Sequence, residues 1–127
     1  SVMTAHLSVP SLDKKYPSSL SKKTINSLLR EEYKFTGITV TDALDMKGVL
    51  QDPDINVDVR AFEVGNDIIL MSTDVSKGIN LIAEKLKSGK IPMSKLSESV
   101  KKILSLKAKS NLDEMSQKLN KIKIKRW

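Results

Sequence analysis

Asp42 has the setting in this chain that most invites chemistry. It follows Ile38-Thr39-Val40-Thr41, four β-branched side chains in succession after Gly37. Such side chains suit a pleated, packed surface, so the run predicts a strand at 38–41. In α/β proteins, ligands and chemistry sit just beyond the carboxyl ends of parallel strands. A carboxylate placed there has a rigid support below it and an open face above. A second role fits the same position. Asp is a good N-cap, and Ala43-Leu44-Asp45-Met46-Lys47-Gly48 reads as a short helical turn closed by glycine. Local pattern leaves both roles open. His6, the only histidine, ends another strand-like stretch, Val2-Met3-Thr4-Ala5.

The elements around these residues alternate in kind. After the stretch at 2–6 comes a loop with Pro10 and Pro17, then a helix from Ser21, its expected cap, to about Tyr33. Ile25, Leu28 and Leu29 stand at helical spacing on it. The strand at 38–41 follows. Pro53 and the acids Asp52, Asp54 and Asp58 mark a loop leading into a helix near 56–65, with Val57, Ala61 and Val64 on one face and Gly65 as its stop. Asp67-Ile68-Ile69-Leu70-Met71 is nearly continuous in apolar residues, as in a strand buried on both faces. A helix at 75–87 carries Ile79, Ile82, Ala83 and Leu86. Another, capped by Ser94, runs over 94–109 with Leu96, Val100, Ile103 and Leu104 expected inward. The tail from Asn111 is helical by propensity.

Strands alternating with helices predict right-handed βαβ units and a parallel sheet, so the fold class is α/β. Three parallel strands have two open edges and need cover on both faces. The chain therefore reads as part of a larger sheet or barrel, with residues 1–110 as the barrel portion and 111–127 as a basic helical tail. Its start at Ser1, inside strand-like sequence, fits a piece of a longer protein.

Composition narrows the partners. There are no cysteines, which excludes disulfides and thiolate metal sites. This fits a reducing compartment, and a cytoplasmic location is the expectation. No metal or other cofactor is called for. No apolar run approaches the length that spans a bilayer, so no membrane partner is expected. The net charge of +7 is uneven. Residues 1–74 carry 8 Lys and Arg against 11 Asp and Glu, and residues 75–127 carry 14 against 4. The basic end could bind nucleic acid or an anionic surface as a helical module. A solvated helix face is favoured over nucleic acid, because stacking aromatics are missing there apart from Trp127.

Several blocks, in order, carry a family resemblance. They are Val2-Met3-Thr4-Ala5-His6 with Pro10, Pro17-Ser18-Ser19-Leu20-Ser21, Leu28-Leu29-Arg30, Gly37 through Met46, Gly65-Asn66-Asp67 and Ile69-Leu70-Met71. Together they resemble the C-terminal part of the catalytic barrel of family 3 glycoside hydrolases, of the bacterial β-N-acetylglucosaminidase (β-hexosaminidase) type. The resemblance covers roughly residues 2–110. It implies the C-terminal segment of a (β/α)8 TIM barrel, with about three parallel strands and flanking helices. It implies release of terminal N-acetylglucosamine from glycans such as peptidoglycan fragments, with a carbohydrate substrate as partner.

The family's nucleophile ends a strand in a Ser/Thr-Asp pair, which matches Asp42. A retaining glycosidase needs an ionised carboxylate to attack the anomeric carbon and a proton donor at the leaving oxygen. The family's acid/base is a His–Asp pair in a Lys-His-Phe-Pro-Gly-His-Gly-like loop, and no such segment exists here. His6 is not that histidine. It ends a barrel strand in the matching segment, where it lines the sugar pocket or is a hydrogen-bonded strand-end residue. Met46 is a candidate for the pocket floor, or a packing residue like Met71. Asp45 is a second pocket acid, or faces solvent or caps a helix, and Asp67 starts a strand. The resemblance thus implies a nucleophile without its acid/base. The chain alone is expected to be inactive, needing the missing N-terminal part of the barrel or, as a structural half-barrel, another chain.

Overall fold

The computed structural model describes residues 1–46, 48, 49 and 52–110. At its centre, β1 (Val2–Thr4) lies parallel to β2 (Thr39–Thr41), pairing Val2 with Thr39, Met3 with Val40 and Thr4 with Thr41. On the other side of β2, Ile68 makes a single parallel bridge to Val40. Ile68 N–H donates to Thr39 O and Thr41 N–H to Ile68 O, each at 3.0 Å. The third strand expected at 67–71 is thus a correction: among the described residues the sheet has two full strands and one bridged residue. The cause is local. Leu70 N–H is taken by the Thr41 hydroxyl at 3.0 Å, not by a backbone carbonyl, so the ladder stops.

The sheet is covered on one face. Thr4, Thr39 and Thr41 are buried, while Met3, on the opposite side of the pleat, is 59% exposed. Among the described residues three α-helices follow β2. α1 (Val57–Val64) is capped by Asn56, whose side chain accepts from Val59 N–H at 3.0 Å. It ends at Gly65, whose φ of 112° suits glycine. α2 (Val75–Lys87) is capped by Asp74 accepting from Lys77 N–H at 2.9 Å. α3 spans Met93–Lys109. The core packs Leu20, Leu44, Val49 and Ala61, with Tyr16, Val57 and Ile69 against them.

Several sequence expectations change here. The helix before β2 is wound as a wide, π-type helix over Lys23–Glu32, with Tyr33 N–H donating to Leu28 O five residues back. Ser21 does act as its cap, accepting from Thr24 N–H at 3.2 Å. The described residues between 43 and 49 form turns and no helix, with Met46 N–H donating to Ala43 O and Val49 N–H to Met46 O. Pro92, not Ser94, precedes α3, and no side chain caps it. The inward face of α3 is mixed. Ser99 is buried and Leu96 and Ile103 are half-buried, as expected for the last two, whereas Val100 and Leu104 are exposed. Ser99 Oγ and Lys102 Nζ both donate to Asp67, and Lys95 Nζ donates to Glu63 O, so hydrogen bonds help seat this helix. On α2, Ile79 is 61% exposed. The expected helical tail, 111–127, lies outside the described residues.

Candidate active site at the end of the central strand

Asp42 sits immediately after β2, at its carboxyl end. Its N–H donates to Thr4 O at 2.9 Å, extending the β1–β2 ladder by one bond and fixing the main chain beneath the carboxylate. The side chain is half-buried, and its Oδ1 accepts from Ala43 N–H at 2.8 Å. Residues 43–46 hold turns and no helix, so the acid caps none among the described residues. It is instead held by the first amide of a turn.

His6 stands beside that turn. Its Nε2 lies 2.9 Å from Ala43 O and its Nδ1 lies 2.6 Å from Ser19 Oγ. A carbonyl only accepts, so Nε2 carries the proton, and in the neutral ring Nδ1 accepts from the Ser19 hydroxyl. Ser19 is fully buried and belongs to the tight 3-10 turn Ser18–Leu20. That turn is anchored by Arg60 of α1, whose Nε donates to Leu20 O at 3.1 Å and whose guanidinium stacks 4.2 Å from the Tyr16 ring centre. It is also anchored by Asn66, 1% exposed, whose Nδ2 donates to Ser19 O at 2.9 Å and to Ala61 O at 3.0 Å. Thr4 Oγ1 donates to Asn66 Oδ1 at 3.1 Å.

Of the residues singled out in the sequence, the fold thus brings Asp42 and His6 to one turn. Met46 follows it, 49% exposed, and Asp45 is exposed. Asp67 lies at the other end of the sheet and makes a network of its own. Its Oδ2 accepts from Arg30 at 2.8 Å and from Thr39 N–H at 2.9 Å, and its Oδ1 from Ser99 at 2.8 Å and Lys102 at 3.0 Å. Burial raises its pKa, but the Thr39 amide, Lys102 and Ser99 outweigh this and hold the carboxyl below the usual range. Ser19 and Asn66 had carried no role in the sequence reading. Small polar residues next to apolar runs are ordinary, and apart from Ala61 O their partners lie 13 to 62 residues away.

The family model for the glycosyl hydrolase family 3 N terminal domain matches residues 1–106. The chain belongs to glycosyl hydrolase family 3. Among curated family 3 relatives, beta-hexosaminidase A of Pseudoalteromonas piscicida is 31% identical over 130 residues, covering 85% of this chain and 22% of that protein. Beta-hexosaminidase LpqI of Mycobacterium tuberculosis (strain ATCC 25618 / H37Rv) is 32% identical over 116 residues, covering 84% and 29%. A solved family 3 beta-N-acetylglucosaminidase from Paenibacillus sp. str. FPU-7 superposes with a TM-score of 0.78 at 32% identity, over 88% of this chain and 22% of that one. The chain therefore spans less than a third of the length of these relatives.

Proposed function

We propose that the chain is the C-terminal segment of a (β/α)8 catalytic barrel in a retaining glycosidase that releases terminal N-acetylglucosamine, with Asp42 as the nucleophile. The observation that carries this is Asp42 at the carboxyl end of a central parallel strand, its own N–H bonded to Thr4 O and its carboxylate accepting from Ala43 N–H. Chemistry in barrels sits at that end of the strands. Family membership supplies the reaction class, and the names of the beta-hexosaminidase relatives supply the sugar. Helices on one face of the sheet, with Met3 open on the other, suit a barrel wall seen without its remainder.

In this reading Asp42 attacks the anomeric carbon as the leaving oxygen is protonated, and a glycosyl ester forms on one carboxylate oxygen. Water then hydrolyses the ester, with the proton donor now acting as base. That donor comes from the N-terminal part of the barrel, because His6, the only histidine here, has both ring nitrogens committed within the chain. Met46, exposed at the same turn, contributes an apolar patch to the sugar side. A nucleic-acid surface is disfavoured by the intramolecular use of Lys85, Lys95 and Lys102.

The test is Asp42→Asn in the full-length enzyme, with an aryl N-acetylglucosaminide as substrate. The amide keeps size and hydrogen bonding but cannot form the ester, so kcat should fall by several orders of magnitude with folding intact. A fluorinated glycoside should leave its sugar on the peptide containing Asp42. Unchanged turnover, or a label on Asp45, would show that another acid attacks.

A further inference from the structure

Four contacts run in sequence from the buried core to Asp42. Asn66 Nδ2 holds the main chain of Ser19, and Ser19 Oγ meets His6 Nδ1. His6 Nε2 meets Ala43 O, and Ala43 N–H meets Asp42 Oδ1. Residue 43 is therefore gripped at both ends, its carbonyl by the imidazole and its amide by the carboxylate. The same carbonyl also accepts Met46 N–H at 3.2 Å, so the ring reinforces the turn that carries the acid. Gly48 closes over the histidine: a Cβ there would come within 3.3 Å of His6 Cβ and 3.4 Å of His6 O.

We propose that His6 is a positioning residue, which fixes the Ala43 turn so that the Asp42 carboxylate is held in its attacking geometry. The inference rests on the reading of Asp42 as nucleophile. With Nδ1 and Nε2 both engaged, the ring has no nitrogen left for a sugar hydroxyl, so its effect reaches the substrate through Asp42. The buried Ser19 hydroxyl can donate to Nδ1, which leaves Nε2 as the nitrogen that carries the proton needed for donation to Ala43 O. Catalysis depends steeply on such alignment, and a displacement of about 1 Å can cost about 100-fold in rate.

The experiment uses the full-length enzyme, an aryl N-acetylglucosaminide, and four variants: His6→Ala, His6→Gln, Ser19→Ala and Asp42→Asn. His6→Ala should lower kcat by about 100-fold while KM moves less than about threefold, because the acid is misplaced and the sugar contacts are not. His6→Gln, whose amide N–H can replace Nε2–H toward Ala43 O, should recover most of kcat. Ser19→Ala should lose part of it and weaken the tautomer preference. In the wild type, 15N shifts of the imidazole should report Nε2–H at neutral pH. A raised KM with unchanged kcat in His6→Ala would overturn the proposal in favour of direct sugar contact. Well-folded His6→Gln that is no better than His6→Ala, or an Nδ1-protonated ring, would overturn it as well. Full activity in Asp42→Asn is a separate outcome: it removes the nucleophile and this role together, whereas its loss with unaffected His6 variants removes this role alone.

Discussion

The Asp67 network offers the clearest stability test. The carboxylate side chain is 2% exposed and takes Arg30, Thr39 N–H, Ser99 and Lys102 at once. In Asp67→Ala the Arg30 side chain, 18% exposed, loses its charge partner but keeps Phe35 O and Gly37 O. Lys102, 30% exposed, can turn to water, whereas the Thr39 amide beside the buried strand cannot easily do so. Breaking a buried pair costs about 3–5 kcal/mol, and the remaining Arg30 acceptors place this case near about 3 kcal/mol. Asp67→Asn keeps an acceptor for Thr39 and Arg30 and should cost about 1–2 kcal/mol. The measurement is urea unfolding followed by circular dichroism at several pH values. The folded carboxyl titrates below its unfolded value of about 3.9. Its stabilisation is therefore complete above that pH and lost as pH falls through the folded pKa. The gap between wild type and Asp67→Asn should stay constant from about pH 7 to 5 and shrink below about pH 4. A loss under about 1 kcal/mol in Asp67→Ala, or a gap that widens on acidification, would refute the reasoning.

Two other substitutions test the packing around the sheet. Asp58 is 3% exposed, its Oδ1 lacks a partner among the described residues, and burial raises its pKa. Its charge is thus a cost that appears as pH rises through the unfolded value toward the folded one. Asp58→Asn should raise the pH 7 stability by about 1 kcal/mol and change little at pH 3, and equal effects at both pH values would contradict this. Gly65→Ala forces a Cβ into a left-handed residue, 2.8 Å from Asn26 Oδ1. It should lower the thermal midpoint by an amount equivalent to at least about 1 kcal/mol, and an unchanged midpoint would mean that this helix end is not held as described.

Much of the architecture was legible in local sequence because its causes are local. The β-branched run at 38–41 places β2, and Gly65 ends α1 through a cap that needs only neighbouring residues. The order of the elements gave a parallel arrangement, which the β1–β2 register bears out. Legibility failed where distant groups intervened. The 67–71 run is apolar enough for a strand, but the Thr41 hydroxyl takes the Leu70 amide. The apolar spacing of α3 pointed Val100 and Leu104 inward, but Asp67 and Glu63 draw Lys95, Ser99 and Lys102 to that face instead.

At the site, the sequence by itself determined that an acid follows the central strand and that one histidine ends another. Residue type and strand pattern suffice for that, since both are properties of short segments. Only the tertiary structure decided what those two residues do to each other. Parallel pairing of β1 with β2 carries His6 to the turn after Asp42, across 37 residues of chain, and the fold seats a buried serine against its second nitrogen. Hydrogen bonds of about 3 Å between residues so far apart depend on the whole sheet being assembled, and no window of sequence contains them.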